Sequence, residues 1–317
     1  MKTRVLERAK SNLLLLCASI VTVKNMVLNS YYTIIKNYKT REKRITMETK
    51  ILFTDLDGTL LNSEKTISEK THQKIMEMLN RGHKFVLSSG RSLDNLKEVR
   101  EKLNLPKEGV YISAYQGASL YDCSTDTLLI ENRLNLDTAQ AIFSEVIKAG
   151  LYCHTYNGPM MITTSEGREI DYYRRHIPFP YVITNDIREH LTEGPHKILI
   201  INLEDRKITD DFRTKIMNMP YGNEIQSAYS SPVFLEFYSK DAGKGNGLRT
   251  LCNMLNIPVE NSYACGDEEN DVTMLQAAGT GIAMQNATPI AKEAADIVTV
   301  ADNDHDAIAE VIDRFFL

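Results

Sequence analysis

The chain has 317 residues, 43% hydrophobic and 25% charged, with 16 Gly and 9 Pro; this is length enough for two domains with a sizeable core, and it rules out a staple-held mini-protein or a collagen-like or low-complexity chain. Five cysteines at wide spacings, with no Cys-x-x-Cys pair, argue against a disulfide framework and a zinc site and fit a reducing compartment, the cytoplasm. The net charge of −5 hides a split: residues 1–46 hold ten Lys/Arg and two Asp/Glu, leaving 27 basic against 40 acidic residues in a body that repels nucleic acid and suits a metal-using site.

Residues 1–12 are basic, 13–23 are an apolar run, and 24–44 are mixed and again basic. That pattern has the look of a leader, yet no small-x-small cleavage site follows, and Lys24 and Asn25 would sit near mid-membrane in any spanning helix. The simplest expectation is that residues 1–46 lie outside the fold and that Met47 is the natural start, with a leader or anchor as the alternative. From Lys50 onward, short apolar runs alternate with amphipathic segments, which predicts an α/β sheet crossed by helices. ILFTDL (51–56) reads as a buried parallel strand, 68–81 as a helix with Ile75, Met76 and Leu79 on one face, and KFVLSS (84–89) as a second strand. A helix over 93–103 and a strand VYISAY (110–115) follow. The same rhythm resumes with a helix over 244–256, a strand SYACG (262–266), a helix near 271–278, and strand signals at TGIAM and DIVTV. Between these halves, residues 134–238 form a second α/β unit. It comprises a helix over 137–149, strands around LYCHTYNG and MMITT, helical pieces, a strand KILIINL (197–203), a helix over 210–219, and strands near EIQSAYS and VFLEFY. The expected boundaries are 47–133 plus 239–317 for a doubly wound, Rossmann-like core and 134–238 for the insert.

The chemistry is concentrated where strands end. Asp55-Leu56-Asp57-Gly58-Thr59 closes the first strand, and ligand crevices in open α/β sheets lie beyond the carboxyl ends of strands. Two carboxylates that point together need a cation; hard oxygens suit Mg²⁺, while Leu60 and Leu61 stand where a calcium loop would need oxygen ligands. Ser88-Ser89-Gly90-Arg91 ends the second strand, Gly243-Lys244-Gly245 starts a helix, and Gly266-Asp267-Glu268-Glu269-Asn270-Asp271 follows a late strand. Taken singly, each has an ordinary structural explanation: a turn, a serine N-cap, a solvated loop lysine, or acids at a helix N-terminus. Together they supply a nucleophile, a cation and several phosphate-neutralising groups at one sheet edge, a set suited to phosphoryl transfer.

These motifs, DLDGTLL (55–61), SSGR (88–91), AGKGNGL (242–248), GDEENDVTML (266–275) and AAGTGIAMQNA (277–287), resemble those of the haloacid dehalogenase superfamily of phosphatases, in particular the Cof-like subfamily with an inserted α/β cap. Gln116-Gly117 stands where that family more often has Asn-Gly. The resemblance implies that Asp55 is a nucleophile forming an aspartyl phosphate and that Asp57 is the acid and base. It further implies Mg²⁺ held by Asp55, the backbone carbonyl of Asp57 and Asp267, with Asp271 supporting the metal's water shell. Leu56, Ser89, Gly90, Lys244 and Asn270 would surround the phosphate, with Arg91 and Gln116 toward the substrate. The implied activity is hydrolysis of a small phosphorylated metabolite, a sugar phosphate, by a monomer or weak homo-oligomer with no nucleic-acid or membrane partner for the body. A phosphomutase using the same aspartyl phosphate is the alternative enzyme, and a phosphoacceptor signalling domain the alternative outside catalysis.

Overall fold

A computed structural model describes residues 48–175 and 180–317; the expectations for residues 1–46 lie outside them. The first sheet has eight strands in the order β14-β13-β12-β1-β2-β3-β4-β5. Its parallel part is β1 (Ile51–Thr54), β2 (Lys84–Ser88), β3 (Val110–Ala114), β12 (Ser262–Gly266), β13 (Thr280–Ala283) and β14 (Ile297–Val298). β1 is buried along its whole length because the sheet is covered on both faces, which is why its sequence is a continuous apolar run rather than an alternation. It pairs with β2 on one side and β12 on the other, so the chain winds outward in both directions from this strand. The crevice of such a sheet opens at that switch point, beyond Thr54 and Gly266.

Helices α1 (Glu69–Asn80) and α2 (Leu93–Lys102) start at Ser68 and Ser92, whose hydroxyls accept from the amides of Thr71 and Asn95. The buried side of α1 carries Ile75 and Met78; Met76, expected on that face, is only half-buried. An antiparallel hairpin, β4 (Ser119–Asp122) and β5 (Thr127–Glu131), extends the sheet beyond β3 and was not foreseen from the sequence.

The insert is built on a six-stranded sheet ordered β10-β11-β9-β6-β7-β8. Its strands are β6 (Tyr152–Asn157), β7 (Met160–Thr163), β8 (Tyr181–Ile183), β9 (Lys197–Ile201), β10 (Ile225–Ser231) and β11 (Phe234–Ser239), and all pair antiparallel except β7 with β8. Side chains alternate between faces along each strand. Ile198 and Ile200 of β9 with Leu235 and Phe237 of β11 pack in one apolar cluster with helices α3 (Leu136–Lys148) and α5 (Arg206–Met217). The opposite face carries Leu199, Tyr152 and Met161, joined by Ile170 of the short helix α4 (Arg168–Arg174). Helix α5 starts four residues earlier than its sequence pattern suggests, because the Asp205 side chain caps it by accepting from the Lys207 amide. The observed fold is therefore a doubly wound parallel-sheet core with an inserted α/β cap.

Candidate active site

Asp55 follows β1 and Asp267 follows β12; because these strands pair in parallel, both acids emerge at the same edge, and the Asp55 amide donates to the Cys265 carbonyl at 3.0 Å. Asp271 closes a 3₁₀ turn over Glu269–Asp271 and folds back, its Oδ2 accepting from the Asp267 and Glu268 amides at 2.9 and 3.1 Å. The three carboxylates offer oxygens that all lie within 4.8 Å of one another. Between Asp55 and Asp271 stands Lys244, the first residue of α6 (Lys244–Met254), with Nζ 2.5 Å and 2.6 Å from their Oδ1 atoms and no exposed side-chain surface. The Thr59 hydroxyl donates to Asp267 Oδ1 at 2.6 Å. Gly58 has φ +83° and a Cβ there would sit 2.4 Å from Asp267 Oδ2, so only glycine allows Asp267 to close on the Asp55 loop.

Three carboxylates against one ammonium leave two negative charges in a buried site. At 4.8 Å each like-charged pair costs about 3 kcal/mol at an effective dielectric near 20, so the cluster strains toward protonation. Burial, and then Asp271, push the Asp55 carboxyl up to about 7 although Lys244 opposes them. Burial together with Asp55 and Asp271 pushes Asp267 up to about 8. Lys244 is held well above its ordinary value, Asp271 and Asp55 outweighing the burial that works against its charge. A divalent cation cancels the residual charge, and an all-oxygen donor set is the chemistry that Mg²⁺ takes, so these residues fit it.

The other expected residues fall in two groups. Ser89, Gly90, Asn270 and Arg91 line a cavity of about 550 Å³ together with Asp55 and Asp57. Ser89 follows β2, and its amide donates to the Ser113 carbonyl. Arg91, expected toward the substrate, lines the cavity and also grips Asp57 through Nε at 2.9 Å and Nη2 at 2.7 Å, and Lys65 adds a third contact at 2.7 Å. Burial opposes ionisation of Asp57, but Arg91 and Lys65 prevail and hold its carboxyl below the usual range. The second group sits behind the cavity wall: Leu56 has its side chain in the core, Lys244 is enclosed, and Gln116 is buried. Gln116 accepts from Asn270 Nδ2 at 3.1 Å and donates to Glu236 Oε2 at 3.0 Å, linking the core site to the cap. Asn270 Oδ1 is left buried with no partner.

Sequence reasoning missed the cap wall of the cavity: Tyr172, Tyr173, Lys197, Leu199, Phe234 and Glu236. The available signal was Glu236, a lone charge inside the apolar run VFLEFY. It also missed Glu269, which reaches across to Arg206 at 2.9 Å and Arg213 at 2.7 Å on the cap helix α5.

An acidic cluster with an enclosed lysine at the switch point of a doubly wound sheet, roofed by an inserted cap, is the makeup of an enzyme that handles phosphoryl groups. Residues 52–312 match the haloacid dehalogenase-like hydrolases, and the chain belongs to that family. The chain is 28% identical to the phosphatase YwpJ of Bacillus subtilis (strain 168), over 81% of this chain and 96% of that protein. It is 27% identical to a 5-amino-6-(5-phospho-D-ribitylamino)uracil phosphatase, YcsE, of the same organism, over 87% of this chain and 99% of that protein. A crystal structure of a haloacid dehalogenase-like hydrolase from Bacteroides thetaiotaomicron superposes with a TM-score of 0.73 at 28% identity, covering 85% of this chain and all of that one. The chain is a haloacid dehalogenase-superfamily phosphatase. Among the described residues, no helix is long and apolar enough to cross a membrane.

Proposed function

We propose that this enzyme is a Mg²⁺-dependent phosphatase that removes phosphate from a small phosphorylated metabolite, a sugar phosphate, through an aspartyl-phosphate on Asp55. The observation that carries this reading is the buried triad Asp55, Asp267 and Asp271 with Lys244 enclosed against it. Asp55, Asp267 and the Asp57 backbone carbonyl are the groups that would hold the ion, which when bound supplies the positive charge that lets a carboxylate approach a phosphate dianion. Asp271 already spends one oxygen on Lys244 and the other on two amides, so its part is to position Lys244 and the 267–271 loop.

Asp55 attacks phosphorus and the ester oxygen leaves, taking a proton from Asp57; Asp57 then takes a proton from the water that splits the acyl phosphate, releasing phosphate and restoring Asp55. Arg91 and Lys65 hold Asp57 ionised, which suits the second half; in the first, entry of substrate has to loosen that grip for the carboxyl to carry a proton. General acid–base help of this kind is worth about 100-fold to 10,000-fold. Ser89, the Gly90 backbone and Asn270 are the groups at the cavity surface for the phosphate oxygens. Residues 134–238 act as a lid that excludes water. The four cysteines among the described residues are free and buried, which supports a reducing, cytoplasmic setting; the enzyme is proposed to work on small molecules as a monomer or weak homo-oligomer.

The test is turnover of p-nitrophenyl phosphate with Mg²⁺ and with a chelator. Wild type is active only with the metal, and Asp55→Asn loses about 10⁴-fold or more while keeping its circular dichroism. Activity of Asp55→Asn near the wild-type level removes the nucleophile assignment.

A further inference from the structure

Lys197 and Glu236 form a buried ion pair that the chemistry at Asp55 does not use. Lys197 opens β9; on β11, Glu236 stands opposite Leu199, so the two charges meet diagonally on the cap face that lines the cavity. Nζ lies 3.0 Å from Oε1, and the side chains are 6% and 3% exposed. Such a pair contributes little to cohesion, since apolar residues of similar volume serve as well or better. Leu199 and Phe234, their neighbours on the same strands, show that this wall accepts apolar side chains.

What the pair offers is polarity without net charge. The ammonium carries three donors. The Glu236 carboxylate is held from three sides, by Lys197, by the Ser230 hydroxyl at 2.6 Å and by Gln116, so its lone pairs are fixed in direction. Ser231 lines the same wall and its Oγ is buried with no partner, an unmet hydrogen bond at the cavity's edge. Hydroxyl groups both donate and accept, and so match a wall of this kind; Leu199, Phe234, Tyr172 and Tyr173 supply apolar surface for the carbon frame between them. A second anion would face Glu236, and a purely apolar group would bury the pair's remaining hydrogen-bonding capacity unmet. The volume of about 550 Å³ holds a ligand of monosaccharide size.

Resting on the phosphatase reading above, we infer that Lys197 and Glu236 are the specificity-determining pair, binding the hydroxyls of a neutral polyhydroxylated leaving group, that of a sugar or polyol phosphate. Through Gln116 the same carboxylate is one side chain removed from Asn270, so hydroxyl recognition on the cap is joined to the phosphate end of the cavity.

The experiment compares kcat/KM, with Mg²⁺, for hexose 6-phosphates, ribose 5-phosphate and glycerol 3-phosphate against p-nitrophenyl phosphate, in wild type and in Lys197→Met with Glu236→Gln. That double variant removes both charges and keeps volume. Wild type favours at least one hydroxylated ester over the aryl ester, and the variant lowers that ratio by about 100-fold or more. Loss of both activities in equal proportion, or a wild type that prefers the aryl ester, overturns the inference while leaving the phosphatase reading intact. A folded wild type that hydrolyses none of these esters with Mg²⁺ overturns the phosphatase reading and this inference with it. Should the double variant not fold, Ser230→Ala with Ser231→Ala must move the same ratio by about tenfold, and an unchanged ratio there overturns the inference equally.

Discussion

At the carboxyl edge of the eight-stranded sheet, three clustered buried carboxylates stand against one ammonium that pairs with two of them, whereas on the cavity face of the six-stranded sheet one buried ammonium meets one carboxylate. The first arrangement is unbalanced, and the imbalance surfaces as Asp55 and Asp267 carboxyls pushed up to about 7 and about 8 by burial and by their acidic neighbours. The second is balanced, and hydrogen bonds from Ser230 and Gln116 fix its carboxylate in direction while leaving capacity for a ligand. Buried charge thus has two meanings in one molecule: an excess of one sign asks for an ion, and a matched pair asks for a ligand that can donate and accept.

The sharpest way to break this contrast is Asp271→Asn. It strips Lys244 of its fully enclosed partner and weakens the carboxylate cap over two amides, so the loss is the largest expected, about 3 kcal/mol of stability, read as a lowered denaturation midpoint. A Lys244 that tolerates this change without cost would mean that the triad is not the electrostatic unit described. Asp267→Asn has the opposite sign in chelator. Because its folded carboxyl is raised above the ordinary value of 3.8, the stability it contributes is complete below that value and is lost as pH climbs toward about 8; the asparagine variant therefore melts higher than wild type at pH 8, by a margin that shrinks steadily down to pH 4. Adding Mg²⁺ raises the wild-type Tm and not that of the variant. A variant that melts lower at pH 8, or gains equally from the ion, contradicts the imbalance.

The smallest effect concerns the cap. His154 on β6 is fully buried between the hydroxyls of Tyr152 and Tyr156, and burial, with Lys197 nearby, holds its pKa well below 6.5. It stays neutral in the folded state while the unfolded chain takes up a proton below 6.5, so wild type loses stability through this residue as pH falls, by at most about 1.4 kcal/mol per pH unit. His154→Phe forfeits two hydrogen bonds at pH 7, and its deficit relative to wild type narrows between pH 6.5 and 5. A constant deficit across that range means that His154 protonates within the fold.

Much of this could be read from the residues in order. The buried strands stand out as apolar runs, and each is followed directly by the group that the sheet edge gathers, from Asp55 to Ser89 to Asp267. The β4–β5 hairpin escaped notice because β5 is an edge strand with largely exposed side chains, so little hydrophobic pattern marks it. The three-residue β8 is too short to carry a period. Spacing alone points to Met76 where the structure buries Met78, because a helical face has no fixed reference until the sheet beneath it is known. The cap wall was illegible for a different reason. Lys197 and Glu236 are separated by 39 positions and belong to strands whose pairing register decides whether they meet. The motif that carries Arg91 is legible in the sequence, but its ion pair with Asp57, 34 positions earlier, depends on how the loops after β1 and β2 meet at the sheet edge.

The run from 267 to 271 assigns a different duty to each successive residue: Asp267 to the triad, Glu268 to the cavity wall, Glu269 to the cap arginines, Asn270 to Gln116, and Asp271 to Lys244. Such a stretch has no spare position. Insertion or deletion of a single amino acid there shifts all five assignments at once, so its length is under stricter constraint than the identity of any one of its members.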